Sequence, residues 1–109
     1  MKNLSPTIHR QRLIIEGTCK HPITAKQIKK YLDKLSKIIV MKNLNEPVTH
    51  KSKRFGWAGW VHWEESGAHF YAWDKPFIFF SIDIYTCKKF TDIWAVKFTK
   101  NFFRTTQIA

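Results

Sequence analysis

Glu65 and Ser66 are neighbours, Trp73 follows after a short apolar segment, and a thiol stands at Cys87 behind Thr86. A serine in a tight turn can attack the carbonyl that precedes it, moving the acyl group from its own nitrogen to its own oxygen. Elimination of that ester, followed by hydrolysis, leaves a ketone on the new N-terminus, a pyruvoyl group made from the chain itself. Such chemistry needs neither a phosphate-binding loop nor metal ligands. His9, His21, His50, His62 and His69 show no metal-ligand spacing, and no glycine-rich phosphate loop is present. Glu-Ser is a common dipeptide, so the reading depends on the elements that carry it.

Those elements follow from hydrophobic periodicity. Gln11 to Thr18 holds the run Leu13-Ile14-Ile15 and reads as a strand. Thr24 is a good N-cap, and Ile28, Tyr31, Leu32, Leu35, Ile38 and Ile39 make one apolar stripe on a helix with lysines opposite. Residues 39 to 44 read as the start of a second strand, interrupted at Asn45-Glu46-Pro47. Gly56 to Glu64 reads as a tryptophan-rich strand, with Glu64 and Glu65 facing opposite ways. Gly67 permits a turn just after Ser66, and 69 to 73 reads as a short strand. In 77 to 85 the residues Ile78, Phe80, Ile82 and Ile84 alternate with Phe79, Ser81, Asp83 and Tyr85. The first set predicts a face packed on helices; the second, which continues to Cys87, predicts the face that holds a site. Thr91 to Phe102 reads as a second helix with Ile93, Trp94, Val96, Lys97 and Phe98 around its core-facing side, and 104 to 108 as a closing strand. The order β-α-β-β-β-β-α-β predicts an α+β two-layer sandwich, an antiparallel sheet with two helices on one face. The other face needs a cover, and a homodimer supplies one.

The chain has 109 residues and a formal charge of +11. Basic domains often bind nucleic acid, yet here much of the charge is lysine spread along one helix face (Lys26, Lys29, Lys30, Lys34 and Lys37) and a loop. We read that face as solvated, and nucleic acid as the weaker partner. Cys19 and Cys87 allow at most one bridge and read as reduced thiols. No apolar run is long enough to span a membrane, so a soluble, cytoplasmic protein is expected. Trp57, Trp60, Trp63, Trp73 and Phe70 either fill the core and a dimer interface or stack on a flat cation.

Taken together, these segments resemble the bacterial and archaeal S-adenosylmethionine decarboxylase family, the small pyruvoyl enzymes of spermidine synthesis. The likeness begins near His9. The segment 10 to 16 with Cys19 resembles the family's opening strand, and Ser66 to Trp73 has the spacing of its E-S-H-x-[ST]-I-H-T-W-P. The segment Ser81-Ile82-Asp83-Ile84-Tyr85-Thr86-Cys87 is similar to A-[AV]-[VIL]-D-[VIL]-[FY]-T-C, the most specific match, and Asp92-Ile93-Trp94 is similar to D-P-W. The resemblance implies one domain over 9–109 after a tail of 1–8. It also implies a pyruvoyl cofactor derived from Ser66 with no metal, cleavage after Glu65, and Cys87 as the acid that protonates the product carbon. The ketone accepts the electrons released as carbon dioxide leaves. The implied substrate is S-adenosylmethionine or another amino acid.

Three positions depart from the family pattern. Ala58 stands where a serine is usual, Tyr71 where the family has a histidine five residues after the cleaved serine, and Gly67 where a histidine follows it directly. His69 is the nearest replacement, and slow or absent cleavage is expected. Ser66 and Cys87 are expected to share one pocket, flanked by His69 and Tyr71 on a neighbouring strand. The rival readings are a non-cleaving relative that binds a small amine or nucleoside, and a basic nucleic-acid-binding module.

Overall fold

In the computed structural model, which describes residues 9–52, 56–64, 66–75 and 77–109, the proposed tail at 1–8, Glu65 and Pro76 lie outside the described residues. Helix α1, Ala25–Ile38, starts where the sequence places a cap. The Thr24 side chain accepts the Gln27 backbone N–H, and the Gln27 side chain accepts the Thr24 N–H, a reciprocal capping box. Ile28, Tyr31, Leu32 and Leu35 are buried along one side, and the five lysines are exposed on the other.

α1 ends in a tight left-handed turn instead of running into a strand at 39 to 44. Val40 sits at φ 59°, its N–H bonds Lys37 O at 3.3 Å, and the Met41 N–H bonds Ser36 O at 2.7 Å. This pairing satisfies the last helical carbonyls, with a valine where glycine is usual. Lys88 Nζ donates to Val40 O across the turn. The strand expected there forms later, as β2, Val48–Ser52.

Strands β1 (Gln11–Thr18), β3 (Gly56–Trp63), β4 (Ser66–Trp73), β5 (Phe79–Thr86) and β6 (Gln107–Ile108) complete a six-stranded sheet in the order β2-β3-β4-β5-β1-β6. Each neighbouring pair is antiparallel. Helix α2, Asp92–Phe103, packs beside α1 on the same face, and both helices feed one core with Ile15, Val61, Phe70, Phe80, Ile82 and Ile84. The two-layer α+β sandwich and the element order match the sequence reading.

Tyr31 is the centre of that core. Its ring lies 4.9 Å from Phe103 and 5.3 Å from both Phe70 and Phe98, and its hydroxyl meets Thr99 Oγ1 at 2.6 Å. Full burial pushes its phenol well above the ordinary tyrosine range, so this hydroxyl stays neutral. On α2 the buried set is Ala95, Thr99 and Phe103, at four-residue spacing, while Ile93 and Trp94 are 54% and 52% exposed. The sequence pattern predicts both inward together with Lys97, which is also exposed; Ile93 and Trp94 precede the stripe and project away from it. The closing strand is also shorter than expected, because Arg104 caps α2 at φ 50°.

The layers touch closely at Gly59, where an added Cβ would land on Ile28 Cγ2 and lie 3.2 Å from Val48 O. Gly59→Ala should therefore destabilise the protein by about 1–3 kcal/mol, the usual cost of overpacking. An unchanged denaturant midpoint would show that α1 does not press on β3. No helix of the described residues is long and apolar enough to cross a membrane.

Candidate active site

The β3–β4 pairing fixes the surroundings of Ser66. Trp63 pairs with Ser66 and His62 with Gly67, so residues 64 and 65 alone connect the strands. The turn therefore falls one step before the place that Gly67 suggested. Ser66 opens β4 instead of sitting in the turn, Gly67 is inside the strand, and Glu64 is in the turn rather than on a strand. Glu65, the expected end of the first fragment, is outside the described residues.

Alternation then assigns faces. Ala68, Phe70 and Ala72 are buried against the helices, and Ser66 shares their parity. Its register partner on β5 is the fully buried Thr86, and its hydroxyl lies 4.0 Å from the Met41 sulfur. Met41 also lines a hollow of about 460 Å3 at the C-terminal end of α1, rimmed by Lys37, Lys42, Lys88 and Glu64. Trp63 anchors this corner through its indole N–H, which donates to Ser36 Oγ at 2.7 Å.

On the open face of the sheet Ser66 borders a second hollow, of about 480 Å3. His62 and Gly67 form one side, and His69, Asp83, Tyr85 and Arg12 form the other. Arg12 holds Asp83 with two bonds, Nε to Oδ1 at 2.9 Å and Nη2 to Oδ2 at 2.5 Å. The rings of His62 and His69 are 6.3 Å apart, and Trp60 lies 4.6 Å from His62.

Cys87 follows directly after Thr86, the partner of Ser66, so ladder spacing puts its backbone roughly 6 Å from that of Ser66. It is half-buried and free, and the Thr86 hydroxyl bends the chain around it by donating to Lys88 O at 2.7 Å. Cys87 does not line either hollow next to Ser66. His69 and Tyr71 lie on β4 itself, the strand of Ser66, and not on a neighbouring one. His69 pairs with Asp83, and Tyr71 with Ala58 on one side and Ser81 on the other. Two of the three positions that depart from the family pattern, Ala58 and Tyr71, are thus cross-strand partners. Of the tryptophans and Phe70, Trp63 and Phe70 are core residues, while Trp60 and Trp73 are half-buried with open-face parity. Among the described residues no group of three or more His, Cys, Asp or Glu is placed to hold a metal ion.

His62 is the site residue that the sequence alone does not single out, because spacing tests it only as a metal ligand. A two-residue connection at Glu64-Glu65 would have revealed it, since that length places residue 62 opposite residue 67.

A six-stranded antiparallel sheet under two helices, with a serine opening an interior strand beside a thiol, is a two-layer sandwich built around one hairpin. The chain belongs to the S-adenosylmethionine decarboxylase family, whose model matches residues 17–109. The crystal structure of the adenosylmethionine decarboxylase from Aquifex aeolicus VF5 is similar in fold, with a TM-score of 0.77 over 94% of this chain and 86% of that one at 12% identity. No curated protein matches the chain in sequence.

Proposed function

We propose that this protein is a pyruvoyl-dependent decarboxylase of S-adenosylmethionine, acting in spermidine synthesis after slow self-cleavage between residues 65 and 66. The observation that carries the reading is the place of Ser66. It is the first residue of β4 after a two-residue connection, half-buried, with its hydroxyl on the helix side and an open hollow across the strand.

Ser66 fits the precursor of the ketone: it is the first residue after the hairpin connection, and the acyl shift involves only its own hydroxyl and its own peptide bond. The ketone, once formed, supplies the electron sink for loss of carbon dioxide. The chain's own residues bind and protonate. Tyr85, Trp60 and the Arg12–Asp83 pair border or flank the open hollow, where aromatic faces suit an adenine and a sulfonium cation. Cys87, close to Ser66 along the ladder, supplies the proton to the carbon that loses carboxylate.

A homodimer through the open face belongs to this reading. Ile14, Tyr71 and Tyr85 are exposed there, beside the half-buried Trp60, Trp73 and Phe79. Tyr71 stands five residues from Ser66 on one strand, roughly 16 Å at about 3.3 Å per residue, so it can approach the cleavage site only of a second copy.

Two measurements test the function. Intact mass over days should show the chain dividing slowly into fragments that end at Glu65 and begin with a ketone. The divided protein should then release carbon dioxide from carboxyl-labelled S-adenosylmethionine. Divided protein that releases none from this substrate refutes the substrate assignment.

A further inference from the structure

Self-processing of this kind needs a base for the Cα hydrogen of Ser66, and the usual histidine position holds Tyr71. Resting on the self-cleavage reading above, we propose that His62, on the opposite strand of the hairpin, is that base.

The sheet geometry selects the side of approach. With Cβ of Ser66 on the helix side, its Cα hydrogen leans away from that side, toward the open-face hollow. His62 stands at that hollow as the register partner of Gly67. A Cβ at residue 67 would lie 3.3 Å from His62 Cδ2 and 2.9 Å from Val61 O. The imidazole thus rests over the backbone next to Ser66, in space that a side chain at 67 would contest. The chain lacks a histidine after the cleaved serine and carries one across the hairpin, over the glycine in its place.

The ring is also held and free to act. Trp60 flanks it at 4.6 Å, and the His62 backbone N–H donates to Asn45 Oδ1 at 2.8 Å. Its ring nitrogens have no hydrogen-bond partner among the described residues. The charged and titratable groups that share its hollow are His69, Tyr85 and the Arg12–Asp83 pair, and Asp83 is already engaged by Arg12. His69 lies two residues beyond Gly67, about 7 Å further along the strand.

After the acyl shift, residue 65 is esterified to Ser66 Oγ and the Ser66 nitrogen is a free amine. His62 takes the Cα proton, the C–H electron pair becomes the Cα–Cβ double bond, and the Cβ–Oγ bond breaks with the carboxylate of residue 65 leaving. The resulting enamine tautomerises to an imine, which water hydrolyses to the ketone and ammonia. The proton held by His62 passes to the ammonia.

Hydroxylamine provides the test, because it cuts the ester without removing the Cα proton. Intact mass should be followed for the full chain, His62→Ala, His62→Gln and His69→Ala, each with and without hydroxylamine. We expect both His62 variants to form the ketone-ended fragment at least about 10²-fold more slowly than the wild type. Hydroxylamine should still cut them at 65–66, and free imidazole should restore part of the loss to His62→Ala. His62 variants that form the ketone at the wild-type rate overturn the proposal, as does a larger loss in His69→Ala. Loss of the hydroxylamine cut in the His62 variants also overturns it, because His62 then acts before elimination. A wild-type chain that hydroxylamine cuts but that forms no ketone overturns it too. A wild-type chain cut in neither condition removes the self-cleavage reading itself, and the role of His62 with it.

Discussion

Ala58→Ser combined with Tyr71→His should speed division of the chain between residues 65 and 66 by about 10²-fold or more, the usual value of positioned acid–base help. The two sites are register partners on β3 and β4, so a serine and a histidine there would face each other across one rung. Tyr71 is 39% exposed on the open face, and an imidazole fits without disturbing the core. Because residue 71 is far from Ser66 along its own strand, the gain acts through the dimer proposed above and grows with protein concentration. Timed intact-mass measurements at two concentrations check both points. An unchanged rate would mean that the pair does not serve the cleavage site.

Cys87→Ala should lower carbon dioxide release by the divided protein by about 10²–10⁴-fold while leaving division itself in place. The thiol follows the partner of Ser66 on β5 and is neither bridged nor fully buried. A serine at 87 is a much weaker acid and should rescue little. Turnover of Cys87→Ala at the rate of the parent chain would remove the thiol from the reaction and point to a donor in the open hollow.

Much of this architecture is legible in the sequence because strong periodicity and strong caps coincide. The alternation through Phe80, Ile82 and Ile84 places β5, and Thr24 with Gln27 marks the start of α1. What escapes the sequence is local turn geometry. Gly67 looks like a turn residue, but the pairing of Trp63 with Ser66 closes the hairpin earlier, and Gly67 is needed for the close approach of Val61 O and His62. Val40 looks like a strand residue, yet the carbonyls of α1 recruit it into a left-handed cap. Ile93 and Trp94 are apolar but lie off the stripe set by Ala95, Thr99 and Phe103. The hairpin misreading is a shift of about one position, enough to hide His62 and to place Ser66 in a turn.

The two-residue link between β3 and β4 has a consequence for assembly as well as for chemistry. While the chain is whole, that hairpin closes at little entropic cost and can template the interior of the sheet early. After the proposed cut, those two strands would belong to separate polypeptides, and the pairing of β3 with β4 and of β1 with β5 and β6 would have to hold the pieces in one body. Unfolding a divided molecule then releases two partners that have to find each other again, so recovery becomes a second-order event that dilution defeats. A protein that cuts itself there has to fold first, and it does so on the only occasion when folding is a matter for one chain alone.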